Sequence, residues 1–132
     1  MNNNFNLDLR VAVIGGTGQL GYPLTEELLK LGAEVLVVSR KRHDGNKDKL
    51  NALKAQGAEL EFCGAYDDVE NLTEILEGID VVVVTIQPNV DIVETKILEA
   101  AQRAGVKRFV PCEFGLNTLD IDYGNEGSMD YV

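Results

Sequence analysis

The sequence is poor in the residues that bind metals and form staples, with one histidine and two cysteines in 132 residues. A structural zinc needs four His, Cys or carboxylate ligands held together. His43 stands alone in a basic loop, Cys63 and Cys112 are far apart in the chain, and no metal site is expected. Two such cysteines make no disulfide framework either. No apolar run approaches the roughly 20 residues that span a bilayer. The N-terminus, "MNNNFNLDLR", has neither the positive start nor the apolar stretch of a secretory signal, so a cytoplasmic location is expected. Basic residues are scarce, 12 against 22 acidic ones, for a net charge of −10. Nucleic acid and anionic membranes attract basic surfaces, so neither is expected as a partner.

The scarcity is uneven. Arg40, Lys41, Arg42, Lys47, Lys49 and Lys54 fall within fifteen positions, opposed there only by Asp44 and Asp48. Beyond Arg108 no Lys or Arg remains, while Glu113, Asp120, Asp122, Glu126 and Asp130 do, and the pattern of 116–132 predicts a polar tail without a clear element.

What the sequence does contain is a repeated phrase. "LGAEV" (31–35), "QGAEL" (56–60), "EGIDV" (77–81) and "AGVKR" (104–108) each place a glycine before a chain that turns apolar. A glycine there can take the left-handed conformation that ends a helix, and the β-branched residues that follow favour a strand. These are four helix-to-strand junctions. Apolar residues at 20, 24, 28 and 31 predict one face of a first helix, and those at 93, 97, 100 and 104 a face of the fourth. Leu50 and Leu53 mark a shorter second helix. Asp67 or Asp68 caps a third, with Glu70 in its first turn and Leu72, Ile75 and Leu76 facing inward. The strands are expected near 10–15, 34–39, 59–63, 80–86 and 107–111, and "DVVVVTI" is apolar without alternation, as a strand covered on both faces should be.

Strands alternating with helices of this length give βαβ units. The expected fold is α/β, one Rossmann-like domain over 1–132 with a parallel sheet in the order 3-2-1-4-5 and helices on both faces. Pro23 sits awkwardly in the first helix, where an interior proline costs about 3 kcal/mol, and predicts a late or kinked start. In this strand order Cys63 and Cys112 lie on opposite edges, about four spacings of ~4.8 Å apart, beyond the reach of a disulfide. The strand "KRFV" is expected to be an exposed edge through which the chain could self-associate.

The stretch "RVAVIGGTGQLG" (10–21) carries the chemistry. Gly16, Gly18 and Gly21 spell G-x-G-x-x-G, with Gly15 adding an overlapping G-x-x-G-x-x-G, between an apolar strand and an amphipathic helix. Glycine lets the turn bend tightly, lets a pyrophosphate approach the backbone at Gly18, and lets the helix lie close to the strand at Gly21. Unpaired N–H groups at a helix start then face the anion. The competing reading is a tight turn that holds no ligand.

A site that prefers NAD has Asp or Glu at the end of the second strand. Here "VLVVSRKRH" puts Ser39 and Arg40 there, and a guanidinium can hold the extra 2′-phosphate of NADP. NADP(H) is therefore the expected cofactor, against the alternative of a merely solvated basic loop. In such sheets ligands lie beyond the carboxyl ends of the strands, so Thr85 and Gln87 of "TIQPN" could face the nicotinamide half, the alternative being ordinary loop chemistry. An S-adenosylmethionine-dependent methyltransferase would also have a glycine-rich turn, but Arg40 stands where its acidic ribose binder should be.

"VKRFVPCEFG" (106–115) resembles the "VKRFxPSEFG" signature of the isoflavone reductase-like proteins. That group includes phenylcoumaran benzylic ether and pinoresinol-lariciresinol reductases and the NmrA-like branch of atypical short-chain dehydrogenases. The resemblance runs from Arg10 to about Leu119, with "GGTGQLG" and "DVVVVT" at matching places. It implies that Gly15, Gly16, Thr17, Gly18, Gln19, Leu20 and Gly21 hold the pyrophosphate and that Arg40 holds the 2′-phosphate. It also implies a second phosphate contact from an early lysine of the next helix. Asn46 occupies that place without a gap, so Lys47 is the nearest candidate and Lys49 the next. Thr85 matches the family, Gln87 replaces a common glycine, and Cys112 replaces the usual serine with a poorer donor.

The family's catalytic lysine follows the fifth strand. No lysine follows Lys107, and no Tyr-x-x-x-Lys pair is present. The expectation is the NADP(H)-binding domain of an NADPH-dependent reductase of a small organic, phenolic-type substrate, with its catalytic and substrate regions outside these residues. The alternative is an NmrA-like NADP sensor without catalysis.

Overall fold

A computed structural model of the chain describes residues 8–40, 47–86 and 91–111. Five strands and four helices alternate along it: β1 (Arg10–Ile14), α1 (Gly21–Lys30), β2 (Glu34–Ser39), α2 (Lys47–Ala55), β3 (Glu59–Phe62), α3 (Val69–Ile75), β4 (Val81–Val84), α4 (Asp91–Ala104) and β5 (Arg108–Val110). The sheet has the expected order β3-β2-β1-β4-β5, and every pairing is parallel. The strands are shorter than the apolar runs. At the ends of β4 the ladder continues as isolated bonds, from the Asp80 amide to Arg10 O (2.9 Å), from the Thr85 amide to Ile14 O (2.9 Å), and from the Lys107 and Arg108 amides to Asp80 O (3.0 and 3.1 Å).

All four junction glycines have positive φ, from 80° at Gly78 to 111° at Gly57. Each therefore ends its helix in the left-handed conformation, as the repeated phrase required.

Strand residues alternate between two cores. Ala12, Ile14, Leu36, Val38, Val82 and Val84 pack with Leu72 and Leu76 near α3 and with Ile97, Ala100 and Ala101 of α4. Val11, Val13, Val35, Val37 and Val83 pack on the other face with Leu50 and Leu53 of α2 and with Tyr22, Leu24, Leu28 and Leu29 of α1. Helices thus cover both faces, which is why the central strands are apolar without a break. At α3 the choice between two acids is resolved: Asp68 is the cap, its side chain accepting from the Asn71 amide at 3.1 Å. No helix among the described residues is long and apolar enough to cross a membrane.

Two expectations for α1 change. Pro23 lies in the first turn of a helix that begins at Gly21, between the Tyr22→Gly18 (3.0 Å) and Leu24→Leu20 (3.2 Å) amide bonds. One missing donor in a first turn breaks little of the ladder, so the interior penalty does not arise. The expected stripe holds at its middle, where Leu24 and Leu28 pack against the core, and not at its ends. Gly21 and Thr25 are the buried residues of α1, while Leu20 and Leu31, the ends of the predicted stripe, are 37% and 41% exposed.

Thr25 is fully buried and its hydroxyl has no hydrogen-bond partner. Leaving a buried hydroxyl unpaired costs about 1–3 kcal/mol. Thr25→Val, which keeps the shape and removes the polar atom, is expected to raise stability by about 1 kcal/mol, read as a higher urea midpoint at unchanged slope. A lower midpoint would mean that the hydroxyl is satisfied in solution.

Candidate functional site

The register puts Ile14 beside both Val38 and Val84, so the three central strands end level. Their carboxyl ends frame a crevice at the point where the strand order reverses, the usual ligand position in open α/β sheets. The glycine-rich turn occupies it. The Gly15 amide donates to Val38 O at 2.9 Å, tying the turn to β2. From the β4 side the Thr85 hydroxyl lies 2.8 Å from Ile14 O and 3.0 Å from Gly15 O. That hydroxyl is aimed at the turn it holds.

Packing alone demands three of the four glycines. Gly15 has φ +89°, and a Cβ there would meet Ile86 Cγ2 at 2.8 Å. A Cβ at Gly16 would meet Val37 Cγ1 at 2.7 Å, and one at Gly21 would overlap the Gly15 carbonyl oxygen. Gly18 is different. The nearest atom to its added Cβ is Gly15 O at 3.6 Å, an ordinary contact, so the protein itself has room for a side chain there. A tight turn without a ligand accounts for Gly15, Gly16 and Gly21 but leaves Gly18 unexplained.

The start of α1 adds donors. Leu20 caps the helix without a side-chain hydrogen bond, and its first turn holds no acidic residue. Among the described residues nothing accepts from the amides of Gln19, Leu20 and Gly21. Bare amides and the positive end of a helix dipole, with no carboxylate competing, make a place for an anion. These groups suit a diphosphate.

Ser39 ends β2 and is buried, its carbonyl accepting from the Cys63 amide at 3.0 Å. Arg40 follows it and is exposed. None of the ion pairs among the described residues involves Arg40. Its guanidinium carbon lies 5.6 Å from the centre of the Tyr66 ring.

The lysine brought to the turn is Lys49. Its ammonium donates to Thr17 O at 3.2 Å and lies 6.0 Å from the centre of the Tyr22 ring. Lys47 opens α2 as an exposed residue. Of the two candidate lysines, Lys49 is the one whose ammonium reaches the turn, from a position one helical turn before the buried Leu53. Gln87 and Cys112 lie outside the described residues.

Tyr66 carried no signal in spacing or periodicity. Its phenol is pushed up to about 12 by burial, with Cys63 beside it adding to the rise and Arg40 pulling the other way. Burial likewise pushes the Cys63 thiol above its ordinary range. The thiolate is the reactive form, so Cys63 in the native protein is expected to resist iodoacetamide at neutral pH and to react once urea unfolds the chain. Rapid native labelling of the Cys63 peptide by mass spectrometry would contradict this.

A family description matches residues 8–124, which covers the turn, both cores and the start of β5 onward. The chain belongs to the NmrA-like family. Among its relatives, the bifunctional pinoresinol-lariciresinol reductase of Sinopodophyllum hexandrum is 36% identical over 126 residues, 89% of this chain and 40% of that protein. The binary complex of leucoanthocyanidin reductase with NADPH from Vitis vinifera is similar in structure, with a TM-score of 0.76 and 27% identity over 86% of this chain and 39% of the other. The structure of AtPrR2 with NADP+ and (+)pinoresinol has a TM-score of 0.70 and 33% identity over 81% of this chain and 37% of the other. This NmrA-like chain thus spans about 40% of the length of the relatives it matches.

Proposed function

We propose that this NmrA-like chain is the NADP(H)-binding part of an NADPH-dependent reductase of small organic, phenolic-type molecules. The observation that carries the reading is Arg40, exposed and in no ion pair among the described residues, at the end of β2 where an NAD site would have an acid. The similarity to proteins solved with NADPH or NADP+ supports it.

In this reading the amides of Gln19, Leu20 and Gly21 hold the diphosphate at the start of α1, and Gly18 admits it to the backbone. Arg40 grips the 2′-phosphate through charge-assisted hydrogen bonds. Lys49, already at the turn, supplies the second cation, with Lys47 as the other candidate. Ser39 lies beside the adenosine end, and Thr85 keeps the turn in shape. The bound coenzyme supplies the hydride.

Titration of the full chain with NADPH and NADH, followed by nicotinamide fluorescence, is the direct test. NADPH is expected to bind at least about tenfold more tightly, the equivalent of one good hydrogen bond to a charged group. Equal affinities would overturn the reading. Coenzyme oxidation with pinoresinol or lariciresinol as acceptor tests the substrate class in the full-length protein.

A further inference from the structure

The guanidinium of Arg40 rests on something. Its carbon stands 5.6 Å above the centre of the Tyr66 ring, inside the distance at which a cation is drawn to an aromatic face. Tyr66 belongs to the turn between β3 and α3, and it is half-buried and packed against the core cluster that contains Leu72 and Leu76. A ring anchored in this way is a fixed platform. Arginine loses considerable rotamer freedom when it grips a ligand, and a guanidinium already stacked has less to lose.

The surroundings keep the platform neutral. With the phenol of Tyr66 and the thiol of Cys63 both raised by burial, each stays protonated near neutral pH. A phenolate or thiolate here would pair with Arg40 and repel a phosphate. Neutral partners hold the cation without cancelling it.

We propose that Tyr66 is a positioning residue for coenzyme selection, its ring face holding the Arg40 guanidinium over the end of β2 in the place where the 2′-phosphate arrives. The inference rests on the assignment of Arg40 made above, and it adds a residue that touches the phosphate only through that arginine.

The test uses the full chain with Tyr66→Leu, Tyr66→Phe, Arg40→Ala and the Arg40→Ala, Tyr66→Leu pair, each titrated with NADPH and NADH. Tyr66→Leu is expected to weaken NADPH about two- to fivefold, the scale of an exposed cation–π contact, and to leave NADH unchanged. Tyr66→Phe keeps the ring and should keep the preference. In the Arg40→Ala background, Tyr66→Leu should have no further effect on NADPH. Equal losses for both coenzymes, or an undiminished Tyr66→Leu effect without Arg40, would overturn the proposal. Should Tyr66→Leu fail to fold by circular dichroism, Tyr66→Met gives the same comparison with an unbranched chain. If Arg40→Ala itself leaves the coenzyme preference intact, the functional reading falls. If it abolishes the preference while Tyr66→Leu does not alter it, only the role of Tyr66 falls.

Discussion

Replacing Arg40 with alanine is expected to weaken NADPH binding by about 1–3 kcal/mol, roughly 5- to 150-fold, and to leave NADH almost untouched. The asymmetry follows from chemistry, since the two coenzymes differ by one phosphate, on the 2′-hydroxyl. Arg40 is exposed and makes no ion pair among the described residues, so its full charge is available to that phosphate. Exposure also means screening, and the preference should shrink as ionic strength rises. Arg40→Lys should recover part of the loss, because an ammonium keeps the charge but not the two-pronged geometry. Parallel losses for NADPH and NADH in the titration would remove the 2′-phosphate assignment.

A second large effect separates two glycines three positions apart. In Gly21→Ala the added carbon would overlap the Gly15 carbonyl oxygen and sit 2.7 Å from Thr85 Oγ1 and 2.9 Å from the Gly16 Cα. Backbone atoms cannot rotate aside, so α1 must lift from the sheet. Overpacking of this kind typically costs about 1–3 kcal/mol, and the melting midpoint should fall by roughly 4–12 °C for a domain of this size. Gly18→Ala should behave in the opposite way. Gly18 is not among the residues with positive φ, and its added carbon meets nothing closer than 3.6 Å. Stability should change by less than about 0.5 kcal/mol, while NADPH and NADH affinities fall together because the methyl group enters the path of the diphosphate. A Gly18→Ala chain that binds both coenzymes normally would show that nothing approaches the backbone there.

The contrast between these glycines also marks how far the pattern of residues could be read. G-x-G-x-x-G between an apolar strand and a helix pointed to a phosphate site, and the close strand–helix contact expected at Gly21 is present. Which turn positions are filled by the protein and which are left for a ligand depends on neighbours brought from Ile86, Val37 and Thr85, far along the chain. Apolar periodicity located α1 and its core-packed residues Leu24 and Leu28, but not the exposure of the two ends of the stripe. A hydrophobic stripe registers large side chains, whereas the helix is seated by the absence of one at Gly21, which turns Thr25 inward and Leu20 outward.

By itself the sequence determined the alternation of strands and helices and the four helix ends, because each rests on local backbone preference, and the βαβ alternation with its family resemblance pointed to the strand order that the pairings show. Tertiary structure alone decided that Lys49 reaches Thr17, that Thr85 turns its hydroxyl to the glycine-rich turn, and that Arg40 rests on Tyr66. Those are contacts between residues 26 to 71 positions apart. No local preference encodes them, and they exist only because the register of the parallel strands brings their ends to one level.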